Sequence, residues 1–486
     1  MTSLWNSAMG HIRQVKNGIT VLPFTLAATS NSAYPTDRNN GSMWSGRGLS
    51  SMAQGGIVFR AGPISAGLIP EVTYQENKDY VLIPGLGGSR FSSGMYVLID
   101  LPQRFGPASY KTANLGQTYI RVDSRFLAAG ISNENMWWGP GISNSMMLTN
   151  TAPGFPHFFL QTPRALNIGI GRLSAEAFWG KTTESNYLDT ISTNNHDLLT
   201  AGILTFQPRG STGLVFGFAR TFSFPYDSLS FQNLTRFGQP FLAKDKVTPD
   251  NRSGNGIDDE RVSLLFRYVL PASQFELYGE WAREDASYDF ADFIGEPEHS
   301  SAHQIGIQKV FNRNGVSMFR FYAEMTNLQN LRQNRPGLRP TPSFYLHNPH
   351  GFTNRGQMLG ASTGPGSESQ LWGLDMFRQW GLAGLFLERV RRDEFSPRAI
   401  YYWTSGWPLL HDVEITGGLK VTRQIRSLRI DAQFSNAKRR NRNFVVDQNN
   451  KQFQVRFTWV PEAFRVGRSK AAVSAQASGA QAPQQP

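Results

Sequence analysis

A strict alternation of polar and apolar side chains runs through Gln452-Phe453-Gln454-Val455-Arg456-Phe457-Thr458-Trp459. Successive side chains of a β-strand point to opposite faces, so this period of two predicts a strand with one polar and one apolar face. The alternation does not tell which face is outermost, because a soluble sandwich and a membrane barrel turn these faces in opposite directions. Trp459 at the end of the stretch favours a membrane barrel, since Trp and Tyr collect at membrane interfaces.

The same alternation recurs in upstream segments, which we predict as strands at Gln274–Arg283, Val316–Thr326, Asp412–Arg423 and Leu428–Asn436. Their polar faces carry charges of both signs, so we expect the charges to neutralise one another inside the barrel. The predicted lumen-facing charged residues are Glu276, Glu280, Arg320, Glu324, Glu414, Lys420, Arg429, Asp431 and Arg456.

Connections of two lengths alternate along the second half of the chain. Tight links such as Pro271–Ser273 separate long polar excursions at Ser223–Glu260, Glu284–Ala302, Asn327–Glu368, Arg392–Leu410 and Ala437–Lys451. This pattern predicts an all-β, transmembrane, antiparallel up-and-down β-barrel with short periplasmic turns and long extracellular loops. Strand candidates number about sixteen to eighteen, including weak ones at Ile19–Thr29 and Met95–Leu101.

Composition agrees with a strand-rich protein. Hydrophobic residues are 40% of the 486, and the chain contains 47 Gly, 34 Phe, 15 Tyr and 11 Trp. No segment approaches the roughly 20 consecutive apolar residues of a spanning helix. With no Cys in the sequence, disulfides and Cys-ligated metal sites are excluded.

The net charge is +12, and it suggests contact with an anionic surface or polymer. Basic clusters at Arg389–Arg392 and Lys438–Arg442 can meet phosphorylated lipid headgroups or an acidic polymer, and plain solvated charge is the open alternative. We expect outer-membrane lipid and polysaccharide as partners, no nucleic acid, and a monomer.

No linker divides the chain into independent domains. We predict an N-terminal segment at residues 1–30, the barrel at residues 31–461 and a disordered tail at residues 462–486, which lacks the apolar content to fold. Arg13 and Lys16 precede an apolar stretch that only partly matches a secretory signal. We therefore expect the start to be internal to a longer chain, with the signal and a periplasmic helical region absent or truncated.

Five motifs follow one another in order along the chain: Asn31–Pro35 with Trp44–Leu49, Asn133–Gly141 continuing to His157, Glu296–His299, His350–Gln357, and Gly364–Ser367 with Leu385–Arg391. Together they resemble the capsule assembly Wzi family of Gram-negative outer-membrane proteins. One such motif is weak, whereas five collinear motifs are specific. The resemblance implies a barrel of about eighteen strands. It also implies a surface lectin that holds capsular polysaccharide to the cell.

Candidate sugar-binding residues are aromatic and amide side chains of the predicted outward loops, because an indole face stacks on a sugar ring and amides bond hydroxyls. They are Trp137, Trp138, Asn144, Tyr345, Asn348, Trp403 and Trp407. The Trp pair stands beside Gly139-Pro140-Gly141, so the alternative is a structural role in an inward-folded loop that braces the barrel.

Metal and catalytic sites are weaker predictions. An acidic run from Asp285 to Glu298 lacks EF-hand spacing, and His347 to His350 has no identifiable zinc partners, so we predict a solvated loop and a plain turn. Glu276, Glu280 and Glu324 suggest the acid pair of a glycosidase, but cations are predicted on the same face. We therefore predict no catalytic residue, no metal and no cofactor.

Three functions remain open from the sequence. The first is a non-enzymatic barrel in the outer membrane that binds surface or capsular polysaccharide and supports its attachment or assembly. The alternative is a diffusion channel for oligosaccharides or other polar solutes. The third is a glycan-cleaving enzyme, which the lack of a specific catalytic constellation disfavours.

Overall fold

The structure is a computed structural model. It describes residues 17–460 apart from 87–88, 97–98, 193, 212, 227–233, 236–258, 285–289, 296, 314–316, 330–343, 347–349, 395 and 405–410. The predicted tail at 462–486 and most of the predicted N-terminal segment therefore lie outside the described residues.

The first half of the sheet consists mostly of short strand segments. They are β1 (Gly18–Val21), β2 (Phe24–Asn31), β3 (Gly48–Gln54), β4 (Ile57–Ala61), β5 (Ile64–Leu68), β6 (Glu71–Gln75), β7 (Tyr110–Asn114), β8 (Tyr119–Asp123), β9 (Ala128–Ser132), β10 (His157–Gln161), β11 (Leu166–Asn167), β12 (Gly171–Thr183), β13 (His196–Pro208) and β14 (Leu214–Pro225).

The second half contains long strands and a short two-stranded ladder. The elements are β15 (Asp259–Leu270), β16 (Phe275–Glu284), β17 (Ser301–Arg313), β18 (Ser317–Asn327), β19 (Thr353–Asn354), β20 (Gln357–Met358), β21 (Glu368–Arg378), β22 (Gly381–Arg391), β23 (Val413–Ile425), β24 (Leu428–Arg442) and β25 (Val446–Trp459). Two short helices accompany them, α1 (Phe290–Gly295) and α2 (Pro397–Thr404). Among the described residues, none of the helices combines the length and the apolar content needed to cross a membrane.

All strand segments except β19 and β20 form one antiparallel sheet of 23 segments. Neighbours in sequence are neighbours in the sheet from β12 to β18 and from β21 to β25, and β18 pairs with β21 across a long connection. The last strand pairs with the beginning of the chain, with Trp459 opposite Phe24 and Gln452 opposite Asn31.

Long and short connections lie at opposite ends of the sheet, apart from the short connection 443–445, which joins β24 to β25 at the end that carries the long ones. One end, the loop end, carries the connections 32–47, 76–109, 133–156, 184–195, 226–258, 285–300, 328–367 and 392–412. The other end, the turn end, carries connections such as 62–63, 209–213, 271–274, 379–380 and 426–427. This sorting of connections agrees with the predicted up-and-down arrangement of strands.

The apolar face of the sheet is exposed and the polar face is covered. Ile415, Phe457 and Trp459 are 51%, 39% and 48% exposed, whereas Glu414 and Glu324 on the opposite face are buried. A soluble sandwich would bury the first set and expose the second. The ambiguity left by the alternation is thus resolved in favour of a lipid-facing apolar surface.

Three details of the predicted organisation are wrong. Residues 437–451 are not a loop, because β24 and β25 remain paired through Ala437 opposite Asn450, with an irregular register between Arg439 and Arg442. The sheet starts at Gly18 rather than at residue 31, since β1 and β2 pair with β4, β3 and β25. The described part of Met95–Leu101 is not a strand and forms a single bridge, from Ile99 to His350.

Candidate functional site

The connection 133–156, which we call the β9–β10 segment, folds inward over the polar face. Its Gly139 and Gly141 permit this close approach. A Cβ atom at Gly139 would lie 2.7 Å from Glu280 Oε2, and one at Gly141 would collide with the carbonyl oxygen of Asn144. The Gly-Pro-Gly motif is therefore required because the backbone lies directly against side chains of the strands.

Two strand carboxylates hold the β9–β10 segment by its backbone. Glu324 accepts hydrogen bonds from the N–H groups of Ile142, Ser143 and Asn144 at 2.6, 3.2 and 3.1 Å. The Tyr278 hydroxyl donates to the same carboxylate at 2.8 Å. Glu280 accepts in the same way from the N–H of Met146 at 3.2 Å and from the Ser263 hydroxyl at 2.7 Å.

A hydrophobic core fills the space inside the loop end. It joins residues of the β9–β10 segment and of the connection 328–367 to small residues of the strands, such as Ala201, Ala219 and Ala282. The Trp138 ring meets Phe178 of β12 edge to face, with 5.2 Å between ring centroids. Because this core packs against the polar face, the inward-folded connections form one body with the sheet.

Three predicted sugar-binding residues are buried in this body, so their placement on outward loops is wrong. Trp138, Asn144 and Tyr345 are 4%, 1% and 0% exposed. Asn144 Oδ1 accepts from the N–H and the hydroxyl of Ser362, each at 3.0 Å. The Tyr345 hydroxyl donates to the Met146 carbonyl at 2.8 Å. Asn144 and Tyr345 thus join the two inward-folded connections. This is the structural role that the sequence analysis gave as the alternative to sugar binding for Trp137 and Trp138.

The other predicted sugar-binding residues are less constrained. Trp137 is partly buried in the β9–β10 segment. Trp403 lies in α2, at the loop end. Asn348 and Trp407 lie outside the described residues.

The charged residues predicted for the lumen lie on the polar face, mostly in ion pairs. Asp375 lies between Arg320 Nε at 3.1 Å and Lys420 Nζ at 2.9 Å. Glu276 pairs with Arg267 at 2.8 Å, and Arg429 with Asp431 at 2.8 Å. Glu414 contacts Arg38 at 3.3 Å. Arg456 stands opposite Asp431 in the register of β24 and β25.

Two cavities lie on either side of the connection 32–47. The strand-side cavity, of about 270 Å³, is lined by mid-strand residues including Arg320, Lys420 and Gln454. The loop-side cavity, of about 240 Å³, is lined by residues of the connections, such as Tyr80, and by Arg439 and Arg442 of β24. Thr36 and Arg38 line both. Arg38 is held there by ion pairs with Glu388 and Glu414, so it forms part of the wall between the cavities.

Buried ionisable groups in the connections were missed by the sequence analysis. Burial raises the pKa of Asp100 to about 6, although the N–H groups of Ser185 and Gly356 donate to it at 2.7 and 2.9 Å. Burial also raises the pKa of Asp37 to about 7. Neither residue stands in a periodic pattern. Asp37 lies between the two parts of the first motif and Asp100 lies between motifs, so no sequence signal distinguished them from solvated loop residues.

His350, which the sequence analysis placed in a plain turn, is a third buried ionisable group of the connections. Asp197 and Glu184 lie 3.0 Å from its two ring nitrogens. Burial alone lowers the pKa of His350, but these carboxylates outweigh it and raise the pKa to about 10. The imidazolium therefore joins the connection 328–367 to the ends of β12 and β13.

The described part of the chain brings together no group of three His, Asp or Glu side chains suited to a metal ion. Asp285, Asp289 and Glu296 of the acidic run lie outside that part, as do His347 and Asn348.

An exposed apolar belt, a covered polar face and connections sorted by length define an outer-membrane protein of the β-barrel class. The family model for the capsule assembly protein Wzi matches residues 39–424, and the chain belongs to this family. Membership confirms the family resemblance and the outer-membrane location expected from the sequence.

One solved structure agrees in fold, and a second is similar at a lower score. Wzi of Escherichia coli, described as an outer-membrane protein involved in group 1 capsule assembly and a carbohydrate-binding β-barrel, is similar at a TM-score of 0.60 and 13% identity, over 90% of this chain and 84% of that one. OccAB2 of Acinetobacter baumannii is similar at a TM-score of 0.44 and 10% identity, over 90% of this chain and 97% of that one. Among curated proteins, none matches the sequence.

Proposed function

We propose that this chain is a non-enzymatic outer-membrane barrel that binds surface or capsular polysaccharide and supports its attachment or assembly at the cell surface. Membership of the Wzi family supports this proposal. The single observation that carries it is the body formed by the inward-folded connections, because fixed loops at the loop end offer a preformed surface to a polymer.

We further propose that the sheet is a closed barrel. Five pairs of segments, β1 with β2, β3 with β4, β5 with β6, β7 with β8 and β10 with β11, are collinear, and merging them reduces the 23 segments to eighteen strands. The pairing of β2 with β25 supports closure because it joins the first and last of these strands. Lipid would surround the apolar face of a monomer.

A diffusion channel is the less favoured alternative. The ion-paired Arg38 stands between the two cavities, and the core around Trp138 and Tyr345 occupies the interior of the loop end. Both features oppose free passage of an oligosaccharide. Cleavage is also disfavoured, because Glu276 is bound to Arg267 while Glu280 and Glu324 accept hydrogen bonds from the backbone of the β9–β10 segment.

The test is the fate of surface polysaccharide in a deletion strain complemented with the wild-type gene or with loop variants. We expect deletion to move polymer from the cell to the medium with unchanged chain length. Trp137→Ala, Trp403→Ala and Trp407→Ala are expected to weaken retention singly and abolish it together, since each ring contributes about 1 kcal/mol. Shorter polymer in the wild type would indicate cleavage. Unchanged attachment with altered uptake of small sugars would indicate a channel.

A further inference from the structure

The loop-side cavity contains a buried arginine that pairs with no carboxylate of the described residues. Arg442, at the end of β24, is 6% exposed and lines the cavity. Its guanidinium donates to the Val81 carbonyl and to Gln448 Oε1, each at 3.2 Å. Its Nε is buried without an acceptor, and within the described part of the chain no carboxylate lies within ion-pair distance of it. A buried charge in this state is unfavourable unless an anion joins it.

The neighbouring acids are already occupied. Asp37, in the cavity lining, accepts hydrogen bonds from the side-chain amides of Asn40 and Gln357 at 2.9 and 3.1 Å. Both oxygens of Asp412 accept hydrogen bonds from Arg439, at 2.7 and 2.6 Å, and the N–H of Asn443 donates to the same carboxylate at 2.7 Å. Arg439 also lines the cavity, so a second cation stands close to Arg442. The other two arginines of the lining differ, because Arg38 and Arg392 lie 3.3 and 3.8 Å from Glu414.

Aromatic rings hold the Arg442 guanidinium in a fixed position. Its Cζ atom lies 5.3 Å from the centroid of the Tyr34 ring and 5.2 Å from that of Tyr80. These cation–π contacts and the two hydrogen bonds orient the planar fork before any ligand arrives. A fork of this kind suits a carboxylate, which it can bind through two parallel hydrogen bonds.

From these contacts we infer that the loop-side cavity binds one acidic sugar residue of the polysaccharide, with the sugar carboxylate on the guanidinium of Arg442. This inference rests on the proposed function and names the class of glycan. The volume of about 240 Å³ lies below the roughly 300 Å³ at which pockets for drug-sized ligands begin, so it suits one sugar rather than several. Tyr80, also in the lining, offers an apolar ring edge beside the carboxylate site.

The experiment is calorimetric titration of the detergent-solubilised full chain with sodium glucuronate, glucose and inorganic phosphate. We expect glucuronate to bind and glucose to bind at least tenfold more weakly. Arg442→Gln is expected to reduce glucuronate affinity about tenfold or more, because a hydrogen bond to a charged group is lost. The matched control is Arg440→Gln, on the same strand, whose exposed side chain pairs with the exposed Asp447. Its affinity is expected to equal that of the wild type.

Several results would overturn the inference: equal binding of glucose and glucuronate, wild-type affinity in Arg442→Gln, or phosphate that binds as tightly as glucuronate and displaces it. If Arg442→Gln does not fold, Arg442→Lys keeps the charge and loses the fork, and it is expected to bind several-fold more weakly. Failure of the inference is separable from failure of the proposed function. Polymer retained by the wild type without glucuronate binding refutes only the acidic-sugar site, whereas polymer retained by the deletion strain refutes the function itself.

Discussion

Replacing Glu324 by Ala is expected to release the β9–β10 segment from the sheet. The change removes the acceptor of three backbone N–H groups and of the Tyr278 hydroxyl. Each unsatisfied buried donor costs about 1–3 kcal/mol. Water that enters the vacated space recovers part of the total cost of these donors. A net loss of about 3 kcal/mol shifts the equilibrium between the packed and the detached segment roughly a hundredfold toward detachment.

Two measurements follow this change. Amide hydrogen exchange at residues 142–144 is expected to accelerate roughly a hundredfold, because exchange reports local opening. Ion conductance in planar bilayers is expected to rise as well, since the detached segment no longer fills the interior of the loop end.

The matched control is Glu276→Ala, another strand carboxylate on the polar face. Glu276 is bound to the half-exposed Arg267 and contacts no backbone group of the β9–β10 segment. This variant is expected to retain wild-type exchange at residues 142–144 and wild-type conductance. If Glu324→Ala behaves like this control in both assays, the carboxylate does not anchor the segment and the reasoning is refuted.

Three further predictions concern the sheet and its connections. Ile415→Arg and Phe457→Arg are each expected to lower the unfolding free energy by about 2–4 kcal/mol, measured by urea unfolding in micelles, whereas Thr416→Ser on the covered face is expected to have little effect. An unheated sample is expected to migrate differently from a boiled one in detergent gels, and equal migration would contradict closure. The raised pKa of His350 means that its stabilising ion pairs are fully present below about pH 6.5 and are lost as pH rises through about 10. The stability difference between the wild type and His350→Gln is therefore expected to shrink over that window, and a constant difference would contradict the assignment.

The regular part of the sheet was predictable because its signal is local. Period-two alternation in β16, β18, β23, β24 and β25 located these strands and their faces. Segments such as β3 were missed, since Gly48–Gln54 is rich in small and polar residues and lacks an apolar face. The basic residues of 438–442 suggested a loop, although the pairing partners of β24 lie in β25 and stabilise an extended ladder.

The inward folding of the connections was not predictable in the same way. Trp138, Asn144 and Tyr345 are residue types suited to sugar binding, and the same types satisfy a packed interior. Asn144 is held by Glu324 and Ser362, which stand 180 and 218 positions later in the chain, and Tyr345 by the carbonyl of Met146, 199 positions earlier. No periodic pattern records such contacts, so only the three-dimensional arrangement distinguishes the two roles.

The pairing of β2 with β25 has a consequence for the order of folding. Thr25 and Thr458, whose hydroxyls lie 3.5 Å apart, are separated by 433 positions. One edge of β2 therefore has no strand partner until almost the whole chain has crossed to the periplasm, and an unpaired edge is a template for aggregation. Because contacts of such long range form late, the sheet completes in a single slow step after synthesis of the C-terminal strand. The chain must consequently be kept apart from its neighbours until that strand is available.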